Sequence, residues 1–172
     1  MEESERFLEP LLDVETIIPI LNSISILGGL DEKELYILFR HLKITKYKKD
    51  EIIFRQGTTA NYIYIVKKGR VRLFVEENHT VLELIEFSVG NCFGETSLIG
   101  IQPQSASVIA VEDTELMVLS GKDLYEFYKT DPELFSKIIM NIARETCRRL
   151  SQTDNILLHY VLGKNDTTLK PQ

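Results

Sequence analysis

Short apolar runs broken by turn residues fill the middle of the chain, and apolar positions spaced three and four apart flank them on both sides. The first pattern predicts strands and the second predicts helices. At the N-terminal end, a short helix is expected from about Val14 to Leu21, with Ile17, Ile18 and Leu21 on one side. Gly28-Gly29 breaks it. Asp31 then starts a second helix, with Glu34 three residues on as a capping-box partner and Leu35, Leu38, Phe39 and Leu42 as its apolar face.

From Lys43 to Leu119 the strands take over. Ile52 and Phe54 alternate with Ile53 and Arg55. Val71, Leu73 and Val75 alternate with Arg70, Arg72 and Phe74. Ala106, Val108 and Ala110 alternate with Ser105, Ser107 and Ile109, and a later strand covers Leu116 to Leu119. Turn chemistry separates them at Gln56-Gly57-Thr58, Lys67-Lys68-Gly69, Glu77-Asn78-His79, Val89-Gly90-Asn91 and Glu112-Asp113. Many short strands with frequent turns point to a sandwich or a jelly roll.

Helical spacing returns after Ser120, which is placed to cap a short helix carrying Leu124, Phe127 and Tyr128. Asp131-Pro132 reads as a second start, an N-cap acid followed by proline in the first turn. The helix it opens is expected to run to about His159. Leu134, Phe135, Ile138, Ile139 and Ile142 give its first half a broad apolar face. Its second half narrows to Ile139, Ala143, Thr146, Leu150, Thr153 and Leu157, which has the spacing of a coiled-coil seam. Two copies pairing along that stripe is one outcome, and the stripe packing on its own strands is the other. The polar residues from Gly163 to Gln172 read as a disordered tail. The organisation is thus an N-terminal helical segment (1–30), a strand-rich domain with its C-terminal helices (31–160) and a tail (161–172).

Composition narrows the function classes. The chain has 172 residues, 44% hydrophobic and 27% charged, as expected of one globular domain. Its net charge of −6 argues against sequence-independent nucleic-acid binding. No apolar run is long enough to span a bilayer. Glu2, Glu3 and Glu5 have the wrong sign for a secretory signal, so a cytoplasmic location is expected, with no membrane partner. Cys92 and Cys147 are far apart and read as free buried thiols. His41, His79 and His159 are scattered, and no metal site or nucleophile triad is expected.

The candidate chemistry lies at Phe93-Gly94-Glu95-Thr96-Ser97-Leu98-Ile99 and Pro103-Gln104-Ser105-Ala106-Ser107-Val108. Gly94 permits a tight turn. The residues after it begin a short helix whose first amides and dipole favour an anion. Glu95 is suited to accept a hydrogen bond from a hydroxyl beside that anion.

These residues resemble the signature of the cyclic nucleotide-binding domain family. Phe93, Gly94, Glu95, Ser97 and Leu98 match its first part, and Ser105, Ala106, Val108 and Ala110 match its second. Gln56 to Val71 is similar to the family's glycine-rich hairpin, with Asn61 where Asp is common. Tyr47 to Phe54 is similar to the stretch before it, with Asp50 where Gly is usual.

The resemblance implies an eight-stranded β-roll, a double-stranded β-helix or jelly roll, flanked by N-terminal helices and a long C-terminal helix. It implies a small anionic ligand, cAMP or cGMP, and no catalysis. Glu95 would accept from the ribose hydroxyl, Gly94, Thr96 and Ser97 would line the phosphate turn, and Ser105 with the amides near Ala106 would complete the cradle. Thr146 or Thr153 would face the base from the long helix. That helix would pair two subunits as a homodimer and act on a downstream protein that the resemblance does not specify.

One position departs from the pattern. Gln104 stands where the family carries an arginine, so a neutral amide replaces a two-pronged cation. Weak nucleotide binding, a different effector, or an empty pocket in a protein-interaction scaffold all remain open. Arg55, Arg70 and Arg72 are candidate substitutes for the missing charge. Lys48, Lys49, Lys67, Lys68, Arg70 and Arg72 otherwise read as a solvated surface, with a partner-binding patch as the alternative. Arg144, Arg148 and Arg149 read as complements to the negative end of the long helix or as solvated side chains. About a dozen residues follow His159, too few for a winged helix, so no DNA reading is expected from this chain.

Overall fold

The computed structural model describes residues 8–12, 14–77 and 80–166. Its strands are β1 (Glu9–Pro10), β2 (Lys43–Tyr47), β3 (Ile52–Phe54), β4 (Tyr62–Lys68), β5 (Val71–Glu77), β6 (Thr80–Phe87), β7 (Cys92–Phe93), β8 (Ser107–Ala110) and β9 (Thr114–Ser120). The helices are α1 (Glu32–His41), α2 (Glu95–Ile99), α3 (Gly121–Thr130) and α4 (Pro132–Asp166). The strands form two antiparallel sheets, β1-β2-β9-β4-β7 and β3-β8-β5-β6. The eight strands of the expected roll are β2 to β9, and the two-residue β1 adds an edge to β2.

The larger sheet is buried on both faces, which explains why its central strands are apolar almost without interruption. Tyr64 and Val66 of β4, with Leu116 and Val118 of β9, point into the roll. There they meet Phe54, Val71, Phe87, Phe93 and Val108. Ile63, Ile65, Met117 and Leu119 point the other way and pack under Leu38, Leu124, Phe127, Leu134, Ile138 and Ile142 of the helices. The helices therefore sit on one side of the roll, and α4 crosses from that side toward α2.

Local signals set the helix ends. Asp31 and Glu34 form the expected capping box. Ser120 accepts from the Asp123 amide at the start of α3, and the Leu134 amide donates to Asp131 at the start of α4. Three features differ from the sequence reading. The N-terminal segment forms short 3-10 turns, Val14–Thr16, Ile18–Ser23 and Ser25–Leu27, rather than one α-helix. Pro19 lies in the first turn of the second, and Ile17 is buried while Ile18 is exposed. Helix α4 continues past His159 to Asp166, so residues 161–166 are helical rather than tail; the rest of the expected tail, 167–172, and Asn78 and His79 of the expected turn lie outside the described residues. Cys147 is exposed on α4, whereas Cys92 is buried.

Asp50 takes φ 65°, a left-handed conformation that costs an ordinary side chain about 1 kcal/mol or more. This is the physical reason glycine suits that turn.

Candidate functional site

Gly94 makes the turn between β7 and α2. Its φ is 83°, and a Cβ there would lie 2.8 Å from the Tyr62 carbonyl oxygen and 3.3 Å from the Tyr64 ring. Only glycine fits that conformation and that space. The turn is held from below by an aromatic stack, with Tyr64 and Phe93 at 5.1 Å and Phe87 and Phe93 at 6.1 Å. It delivers Glu95 to the first position of α2, where the side chain is 1% exposed. By helix geometry, the amides of Thr96 and Ser97 have no helical carbonyl to donate to.

A carboxylate this deep needs a partner, and the partner comes from α4. Arg149 Nη1 donates to Glu95 Oε1 at 2.8 Å. Its Nη2 donates to the Cys92 carbonyl at 2.6 Å, and its Nε donates to Glu145 Oε1 at 3.1 Å. The guanidinium lies 4.6 Å from the centre of the Phe87 ring. One side chain thus joins α4 to β7, to α2 and to the roll's interior. Glu95 Oε2 is left buried without a hydrogen-bond partner.

Burial pushes the Glu95 carboxyl above its ordinary range, and the Arg149 charge only partly offsets it. Burial and the Glu95 charge push the neighbouring Cys92 thiol up to about 12, despite Arg149, so it is inert.

A cavity of about 460 Å³ opens beside Glu95, between the roll and α4. Phe93, Gly94, Glu95 and Thr96 form its floor. Leu73, Leu84, Ile85 and Phe87 make one apolar wall, and Arg149, Gln152, Thr153 and Ile156 make the other. The volume suits a small organic ligand. An acidic acceptor sits at one end and apolar surface at the other, an arrangement that accepts a hydroxyl-bearing head and a flat apolar body.

The structure gathers part of the expected site. Phe93, Gly94, Glu95 and Thr96 line the cavity, and Ser97, Gln104, Ser105 and Ala106 are not among its lining residues. Ser97, Gln104 and Ala106 are buried, and Ser105 is exposed. Gln104 is tied by its backbone to Gly57 and Thr58, and its side-chain Nε2 is buried without a partner. Of the two threonines considered for the base, Thr153 lines the cavity; Thr146, whose hydroxyl donates to the Ile142 carbonyl, is not among the lining residues.

Arg149 is a correction to the sequence reading, which placed it at the helix end. Its signal was helical spacing: it lies four residues before Thr153 and four after Glu145, on one face. Arg70 and Arg72 do not substitute for an arginine at position 104. Arg70 is committed to Glu112 and Glu86, and Arg72 to Glu83 and Glu86, on the outer surface. Lys48 pairs with Asp113 in the same way, and Lys67 with Glu115.

The profile of the Cyclic nucleotide-binding domain family matches residues 44–131, just over half of the chain. The chain belongs to the cyclic nucleotide-binding domain family. Among its relatives is the Cyclic AMP receptor protein of Thermus thermophilus, 33% identical over 129 residues, covering 73% of this chain and 57% of that protein. The cAMP-dependent protein kinase regulatory subunit of Dictyostelium discoideum is 33% identical over 96 residues, 54% of this chain and 28% of that protein. The chain thus spans little more than half the first of these and a smaller share of the second.

Solved structures agree. A cyclic nucleotide-binding domain from Methylobacillus flagellatus superposes with a TM-score of 0.76 at 25% identity, over 88% of this chain and 86% of that one. The Thermus thermophilus Catabolite Activator Protein superposes with 0.68 at 31% identity, over 77% and 61%. Family membership accounts for the jelly roll and the long C-terminal helix together. No helix among the described residues is long and apolar enough to cross a membrane.

Proposed function

We propose that this domain senses a cyclic nucleotide, cAMP or cGMP, in the cavity between α2 and α4, and that it is regulatory rather than catalytic. The observation that carries this is the unpartnered Oε2 of the buried Glu95 at the cavity floor. A buried acceptor without a donor is costly, and a ribose hydroxyl supplies the donor. The phosphate would rest on the Thr96 and Ser97 amides at the start of α2, with Gln104, Ser105 and Ala106 behind it. The base would lie along Leu73, Ile85 and Ile156, with Thr153 at its edge.

Signalling follows from Arg149. The residue that pairs with Glu95 belongs to α4, so a ligand that engages Glu95 alters the grip of the roll on that helix. The effect on a partner is set by how unequally the ligand binds the two α4 positions. From Leu150 onward, α4 presents Leu150, Leu157, Leu158, Val161 and Leu162 to solvent. We take this exposed stripe as the seam of a cytoplasmic homodimer, through which the shift in α4 reaches a downstream protein.

A second reading has its own support. Gln104 brings no charge, and Arg149 is already engaged by Glu95, Glu145 and Cys92. On that reading the cavity takes another effector or none, and the domain is an interaction scaffold.

Thermal unfolding with cAMP and with cGMP separates the two. A ligand at about 100 times its Kd adds roughly 2.7 kcal/mol to stability, a rise of several degrees. The sensor reading expects that rise for one or both nucleotides and its loss in Glu95→Ala. The scaffold reading expects no rise with either.

A further inference from the structure

Glu145 has no place in the ligand scheme above, yet it contacts the residue on which that scheme turns. Its Oε1 accepts from Arg149 Nε at 3.1 Å, while Arg149 Nη1 serves Glu95 at 2.8 Å. Glu145 is 14% exposed, Arg149 is 20% exposed and Glu95 is 1% exposed, so all three lie where water screens poorly. Two carboxylates therefore share one guanidinium at the edge of the cavity.

The other groups facing this cluster do not restore the balance. Cys92 is neutral and lends its carbonyl to Arg149. Ser25, from the third 3-10 turn, adds only a hydroxyl. Arg148 also bonds Glu145 and helps keep it ionised, but its side chain is 60% exposed, so solvent screens its charge from Glu95 and the cavity. Burial pushes Glu145 up, but Arg148, Arg149 and Ser25 outweigh it and hold its carboxyl below the ordinary range. It stays ionised at neutral pH.

We propose that Glu145 sets the charge selectivity of this cavity: by drawing Arg149 away from full service to Glu95, it leaves an excess negative charge that disfavours anionic ligands against neutral ones of the same shape. This rests on the reading of the cavity as a nucleotide site and gives a second reason, beside Gln104, to expect weak cAMP binding there. A cyclic phosphodiester carries one negative charge, and adenosine shares its ribose and base without that charge. Removing the Glu145 charge should therefore favour cAMP and leave adenosine nearly indifferent. Glu145→Gln is the variant of choice, because it keeps the volume and an acceptor oxygen.

The experiment has two arms on the full chain. In calorimetric titrations, Glu145→Gln is expected to tighten cAMP by about fivefold to tenfold and to change adenosine by less than about twofold. Equal shifts for both ligands, no shift, or weaker cAMP binding would overturn the proposal. The second arm needs no ligand. The Glu95 carboxyl is followed by carbon-13 NMR across pH in wild type and in Glu145→Gln, and its midpoint is expected to fall in the variant. A midpoint that stays or rises overturns the proposal even if no nucleotide binds. If neither protein binds cAMP while the midpoint falls, the nucleotide reading fails and the charge competition at Arg149 stands.

Discussion

Arg149 holds the site together, and its loss should be felt in stability before any ligand is added. Arg149→Ala leaves Glu95 buried beside no cation. Breaking a buried pair this way costs about 3 kcal/mol, to be read from urea unfolding. Arg149→Lys should recover little of it, since one ammonium cannot reproduce the planar fork that reaches Glu95, Cys92 and Glu145 at once. A loss below about 1 kcal/mol for Arg149→Ala would mean the pair is incidental.

Glu95 also gives the fold a pH signature. Its folded pKa is raised, so its contribution to stability is fully present below the ordinary value of 4.5 and is lost as pH rises through the raised value. Glu95→Gln is neutral throughout, so relative to wild type it should gain stability across that window. Urea midpoints measured from pH 4.5 upward check the sign. A difference that is flat with pH would show that Glu95 titrates normally.

At this scale the sequence was partly legible. Gly94 and Glu95 stood out because a turn glycine beside an acid is a local pattern. Arg149 did not, because its helical spacing to Glu145 and Thr153 says which face it shares but not what that face meets; its role comes from a contact 54 residues away.

Elements were legible where capping and spacing agree. The box at Asp31 and Glu34 and the cap at Ser120 formed as their residues dictated. The structure adds that Glu34 also takes Lys137 of α4 at 2.6 Å. Glu34→Ala therefore removes a cap and an anchor between helices, and should cost about 2 kcal/mol in thermal or urea unfolding. Glu34→Gln, which keeps the reciprocal cap, should cost about half that. Equal losses would show that the cap contributes nothing beyond the ion pair.

His41 ends α1 and Asp123 opens α3, and the two meet at 3.0 Å. Asp123 sits at the helix terminus that favours its charge. Burial raises the Asp123 carboxyl, but His41 and Ser120 outweigh it and hold it below its ordinary value. Strand β6 was not legible. It is exposed along nearly its whole length, with Val81, Leu82, Leu84 and Ile85 in solvent, so its apolar residues follow neither a buried run nor a clean alternation. The 3-10 turns were missed for a related reason. Ile17, Ile24 and Ile26 are buried at spacings set by the sheet and α4 beneath them, not by an α-helix.

For the whole molecule, the question is what covers the far half of α4. Its near half packs on the core through Leu134, Ile138 and Ile142, whereas Leu150 is 60% exposed and Leu157 is 59% exposed. The seam spacing of Ile139, Ala143, Thr146, Leu150, Thr153 and Leu157 was legible, and in one chain only its first residue packs against the core. The homodimer account expects about twice the chain mass by sedimentation equilibrium, falling to one chain in Leu150→Glu/Leu157→Glu with the fold intact by circular dichroism. A monomeric wild type would remove the seam and leave α4 free for another partner. Ile156 lies in the cavity wall and Leu157 in this stripe, so the helix that walls the cavity is the one that would join the copies.

The central claim, that this cavity takes a cyclic nucleotide despite its neutral Gln104, is tested most directly by calorimetric titration of cAMP and cGMP into wild type and into Gln104→Arg. The account predicts weak but measurable heat with the wild type and roughly tenfold tighter binding in the variant. Silence from both proteins at millimolar nucleotide would contradict it. Binding by the variant alone would show that the natural cavity has given up this ligand.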